Sequence, residues 1–174
     1  METKVPFYNV VNIFLPGLVF TGSCILLFLE ELKHLIVSVT AADSIGLEVL
    51  ITVSCFAIAY EIGYIIFRGA KWIEKIFEKT PIWTKYDHFV AARKAGATSL
   101  DMLSREYGFA RTQITLFILL SILTGLKAYW ILLVLCVLCI ALFLWTACGH
   151  MIKIKKTVSE YLMTDSANEV ASND

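Results

Sequence analysis

Uncharged apolar blocks alternate with charged stretches along the chain. The first block runs from Val5 to Leu29, 25 residues without Asp, Glu, Lys or Arg. The second spans about Gly46 to Phe67, with Glu48 at its outer edge and Glu61 inside it. The third starts near Phe109 and ends at Leu126, and the fourth lies within Ala128 to Ile152, again 25 residues free of charge. A helix needs about 20 residues to cross about 30 Å of hydrocarbon. The pattern predicts transmembrane helices at about 9–29, 46–67, 109–126 and 130–151, in an all-α polytopic membrane bundle. Lys127, Ala128 and Tyr129 alone separate the third span from the fourth, which predicts an antiparallel hairpin. The first block is too long for a signal-peptide core of about 7–15 residues. It ends in Glu30-Glu31 without a small-x-small cleavage site, so we read it as a retained span.

Between spans two and three, residues 68–108 form a predicted helical segment. Arg68 to Thr80 continues span two, with Trp72, Ile73, Ile76 and Phe77 at helical spacing on one face. Arg68, Lys71, Glu74, Lys75, Glu78 and Lys79 take the other, and Pro81 stops the helix. Arg68, Lys71, Trp72, Lys75 and Lys79 are therefore the candidate lipid or partner face. A lysine-rich side opposite Trp, Ile and Phe is what a helix at the headgroup boundary needs. That favours lipid over a docking surface for a soluble protein. Ala91 to Gly96 reads as a connector or helical turn. A further helix starts near Thr98, where Asp101 three residues on resembles a capping box, and it runs into span three. Thr157 to Asp174, polar apart from Tyr161-Leu162-Met163, reads as a flexible tail.

Composition agrees with the blocks. The chain of 174 residues is 58% hydrophobic and 17% charged, against about 45–50% and about 25% in soluble domains. A secreted disulfide scaffold, a disordered chain and a basic nucleic-acid-binding domain are excluded. Net charge is zero, so no global field steers the chain to nucleic acid. The placement of charge says more. With four spans the sides alternate, and 13 of the 15 Lys and Arg residues fall on one side. The positive-inside rule makes that side, with both termini and residues 68–108, cytoplasmic. Trp72 and Trp83 inside, and Tyr129 and Trp130 outside, fit the two aromatic belts.

Ionisable residues at membrane depth are functional candidates. Glu61 lies seven residues before Arg68, about 10 Å from the inner end of its span. Asn9, Asn12, Arg111 and Gln113 fall at similar depth, so the five form a candidate intramembrane polar cluster with a Glu61–Arg111 pair at its centre. Such a pair either locks helix packing or serves a switch or ion path. Small-residue ridges at Cys55, Ala59 and Gly63, at Gly17 and Thr21, and at Ser121 and Gly125 let helices approach closely, within the chain or in a homo-oligomer. The homo-oligomer is the favoured use. Pro16-Gly17 predicts a kink in span one. The five cysteines sit inside apolar blocks, and the C-x-x-C of Cys136 and Cys139 reads as core packing. His34, His88 and His150 fall at three separate places in the topology, so no shared metal site is expected. No zincin, Walker, G-x-S-x-G or dinucleotide motif is present, and neither catalysis nor a cofactor is expected.

The stretch Val5-Pro6-Phe7-Tyr8-Asn9-Val10-Val11-Asn12-Ile13-Phe14-Leu15-Pro16-Gly17 and the segment Leu103-Ser104-Arg105-Glu106-Tyr107 resemble bacterial four-span proteins of the Kiwa anti-phage defence type. The resemblance implies a small inner-membrane subunit that senses phage attachment or the arrival of the phage genome. It implies an oligomer that holds a cytosolic DNA-binding effector encoded nearby, with no nucleic-acid contact of its own. The expected partners are thus membrane lipids, further copies of the chain and that soluble protein. The alternative function is a small oligomeric ion channel or transporter, motivated by Glu61. Against it, spans three and four show no polar pore-lining stripe.

Overall fold

The computed structural model describes residues 7–40, 45–94 and 96–172. Among them the chain forms helices and short turns, without strands: α1 (Phe7–Leu27), α2 (Leu29–Thr40), α3 (Ile45–Gly69), α4 (Lys71–Phe77), α5 (Tyr86–Lys94), α6 (Ser99–Leu126) and α7 (Trp130–Ser172). Stretches within α1, α3–α4, α6 and α7 are each long and apolar enough to cross a membrane. The protein is an all-α polytopic membrane protein. Two compact units are present. One holds residues up to Ala70 with Thr112–Ile140, and the other holds Lys71–Arg111 with the chain from Ala141 onward.

In the first unit α1 packs chiefly on α3. The backbones meet where side chains are smallest. A β-carbon placed on Gly17 would collide with the Ala59 carbonyl, and one on Gly63 with the Ile13 carbonyl. Phe14 and Phe56 flank the crossing with ring centroids 5.8 Å apart. In lipid, where apolar surface gains nothing by leaving solvent, such close backbone packing is a main source of helix affinity. The predicted ridge on α3 is thus used at Ala59 and Gly63, whereas Cys55 is exposed. α1 passes Pro16 as one continuous helix. A second cluster joins Ile66, Leu116, Leu120 and Cys136, with Phe20 and Ile62 against it. Cys136 therefore packs as a small hydrophobe.

The α6–α7 hairpin closes as a Schellman turn. Tyr129 N donates to Thr124 O at 2.9 Å and Ala128 N to Gly125 O at 3.1 Å. Ala128 takes the left-handed position, with φ 57°, which a side chain disfavours. At the same end Lys127 pairs with Glu31 and lies 4.2 Å from the Phe28 ring centroid. That hydrogen bond holds the Glu31 carboxyl below its ordinary range. α1 and α6 therefore end on the same side, as alternating spans require.

In the second unit α4, α5, the first turns of α6 and the later turns of α7 bury Ile73, Phe77, Leu100, Tyr107, Ala147 and Met151. Phe77 meets Tyr107 edge-on at 6.2 Å. Lys155 Nζ donates to Pro81 O at 2.6 Å, tying α7 to the turn after α4.

Three expectations change. The connection between spans one and two, expected as a loop, is mostly helical, since Glu30 and Glu31 in the first turn of α2 suit a helix N-terminus. Residues 91–94, read as a connector or a helical turn, form the last turn of α5. α6 starts beside Thr98 as expected, but Asp101 binds Arg93 at 2.9 Å instead of completing a capping box. Thr98 N already donates to Gly96 O. Residues 157–172, expected as a tail, continue α7. No Gly or Pro follows Gly149, Val158 is buried, and Lys156 sits one turn before Glu160.

Gly63→Leu should unfold or dissociate the α1–α3 pair, at a cost of about 3 kcal/mol or more. Gly22→Ala, with open space at its β-position, should be neutral or stabilising, and thermal unfolding in micelles reads both. Ala128→Gly should raise stability by roughly 1 kcal/mol in the same assay, by relieving the left-handed alanine.

Candidate functional site

The expected polar cluster does not form around Glu61. Asn12 and Gln113 are buried in the first unit, and no hydrogen bond joins them. The side chain of Asn9 lies outside the described residues. Glu61 is exposed. The reason is helical phase. Ala59, Gly63 and Ile66 are the buried residues of α3, and a residue two positions from Ala59 points about 200° away.

Arg111 is paired with Glu74, inside the second unit. Its side chain is 8% exposed and that of Glu74 34%. The guanidinium also lies 6.0 Å from the Tyr107 ring centroid. The pair ties α4 to α6 inside the second unit. A buried guanidinium without a carboxylate is costly, and the turn after Gly69 places Glu74 where it meets that need. The sequence pattern assigned Glu74 to a solvated polar face, because α4 was read as a straight continuation of α3.

Lys71, Lys75 and Lys79 are exposed in the second unit, with Trp72 at 42% and Ile76 at 53%. Ile73 and Phe77, expected on one apolar face with Trp72 and Ile76, are buried. Arg68, in the first unit, stacks on Tyr64 and donates to its hydroxyl at 3.0 Å. His150 stands 3.2 Å from Glu106 without hydrogen-bond alignment, and no group of described residues is arranged to hold a metal ion.

The second unit also contains a cavity of about 520 Å³ that the sequence did not reveal. Its wall carries the carboxylates of Glu74 and Glu78 and the rings of Trp83, Tyr86, Phe89 and Tyr107. Thr84 joins them, with Met151 and Ile154 of α7 beneath. The hydroxyls of Thr84 and Tyr107 are sealed from solvent and lack hydrogen-bond partners. Both oxygens are thus closed off from the open space of the cavity as well as from bulk solvent. The only signal in the sequence was the density of aromatics from Trp83 to Phe89.

Set against known protein families, curated proteins and solved structures, the chain matches none.

Glu74→Gln should destabilise the protein by roughly 3 kcal/mol, because it strips Arg111 of its carboxylate. Glu61→Gln should stay within about 0.5 kcal/mol of the wild type. Unfolding from mild micelles by added dodecyl sulfate separates the two, and equal losses would restore Glu61 as a packing residue.

Proposed function

We propose that the chain is a non-enzymatic membrane subunit that anchors and activates a soluble partner, in an anti-phage defence pair of the Kiwa type. In this proposal it resides in the bacterial inner membrane with both termini in the cytosol. It senses an event at that membrane during infection and passes it to a cytosolic DNA-binding effector. One observation carries the reading: the segment between spans two and three folds as a unit with α7. It presents Trp72 and Ile76 among Lys71, Lys75 and Lys79. Exposed aromatic and aliphatic side chains rimmed by one sign of charge suit a membrane surface or a partner. The thirteen-to-two placement of basic residues supports a cytosolic location for that face.

A homo-oligomer is part of the proposal. Glu61 is exposed at membrane depth, and a carboxylate there is costly unless protein or water covers it. Covering by a second copy supports assembly. The same exposure is the one observation that favours the channel alternative, with Glu61 lining a pore between copies.

Tagged protein in mild detergent should retain the soluble product of a neighbouring gene, and the double change Trp72→Ala, Ile76→Ala should weaken that retention about tenfold or more. In a cysteine-free background Asp87→Cys should react with an impermeant maleimide only after the membrane is opened. Labelling of intact cells would reverse the orientation, and ion flux from liposomes holding the chain alone would favour the channel.

A further inference from the structure

α3 carries a second seam on the side away from α1. Leu50, Ser54, Ala57, Glu61, Tyr64 and Arg68 recur at alternating steps of four and three residues, and all six are exposed. That is the heptad spacing of a left-handed helix pair, the usual geometry of membrane bundles. We propose, resting on the homo-oligomer already put forward, that copies of the chain associate α3 to α3 along this seam, with Glu61 seated against tyrosines of the second copy. The seam lies about half a turn from Ala59, Gly63 and Ile66, the buried residues of the helix. Its composition is not that of a lipid-facing surface. The exposed side chains of α7 in the same unit, among them Ile131, Val134 and Leu138, are all apolar. α3 instead exposes a carboxylate flanked by hydroxyls and a small residue.

Copies that cross the membrane in one direction present parallel α3 helices. In a parallel pair each seam residue enters a hole made by four residues of its neighbour. Glu61 then meets Ala57, Tyr60, Glu61 and Tyr64 of the second copy. Ala57 leaves room for the carboxyl, and both tyrosines are exposed and able to reach it. Arg68 Nε donates to the Tyr64 hydroxyl oxygen at 3.0 Å, and its guanidinium lies 5.4 Å from that ring centroid. The hydroxyl accepts that bond and keeps its own proton to donate. A cationic donor polarises it, which strengthens the bond it gives. The Glu61 carboxyl of the other copy is the acceptor. The two Glu61 side chains also approach the axis, where one proton held between them leaves a single negative charge. Ser54 donates back to Leu50 O at 2.8 Å, so its hydroxyl is satisfied and it serves as a small contact residue. Lipid tails offer a carboxyl at this depth no donor. A second copy offers one to each Glu61 at once, because a symmetric contact repeats every bond.

Cross-linking in native membranes tests the proposal, using the full-length cysteine-free chain with one new cysteine at a time. Ser54→Cys and Ala57→Cys should give disulfide-linked dimers on mild oxidation, and Leu138→Cys should not, since a disulfide needs Cα atoms within about 7 Å. Förster transfer between donor- and acceptor-tagged copies, diluted with lipid in vesicles, reads assembly independently. Tyr64→Phe should weaken association about threefold and Glu61→Leu about tenfold, whereas Glu61→Gln, which keeps an acceptor, should stay within about twofold. Glu61 and Tyr64 are exposed in the single chain, so these variants keep the α1–α3 crossing, and circular dichroism verifies their helix content. Transfer without disulfides at either seam position puts the contact on another face, which overturns the seam and leaves the homo-oligomer standing. No transfer at any dilution overturns both. Disulfides from the seam cysteines to a different protein, or unaltered association of the folded Glu61→Leu chain, overturn the pairing of α3 with itself.

Discussion

The close crossing of α1 and α3 at Gly17 and Gly63 sets the arrangement of the first unit. In a bilayer, apolar faces have no solvent to flee, so helices choose one another by how near their backbones can come. Two glycines and Ala59 permit an approach that any larger residue would block. The crossing then decides which side of α3 is inward. Ala59, Gly63 and Ile66 are buried, and Glu61, half a turn away, is left on the exposed side.

The counter-charge of Arg111 comes from inside the second unit. The helix break at Gly69–Ala70 separates α4 from α3, and α4 brings Glu74 to Arg111. Glu74 of α4 and Glu78, in the turn just after it, both line the cavity wall. A short helix of seven residues thus carries the carboxylate of the ion pair and the exposed Trp72 and Ile76. The two carboxylates sit four residues apart, one helical turn, and Arg111 pairs with the first.

Much of the fold was legible along the chain. Four uncharged blocks long enough to span a membrane correspond to the four long apolar helices, because a helix satisfies its own backbone and lipid tolerates little else. The start of α6 beside Thr98 and the three-residue hairpin at Lys127–Tyr129 were legible from local signals. α2 was missed because it is short and mixed in character. The extension of α7 through residues 157–172 was missed because its composition is polar and its anchoring contact, Val158, lies in the unit's core.

The candidate site divides in the same way. Lys71, Trp72, Lys75 and Lys79 could be placed on an exposed face, because charge and aromatic spacing repeat with the helical period. The sequence by itself determined the spans, the asymmetry of basic charge and the small residues available for close packing. Only the tertiary structure decided that Arg111 meets Glu74, that Glu61 faces outward, and that Thr84 and Tyr107 line one cavity. Spans follow from local composition, since hydrocarbon sets the length and polarity of each helix independently. Partners follow from helix phase and from where a helix breaks, and neither can be read from composition.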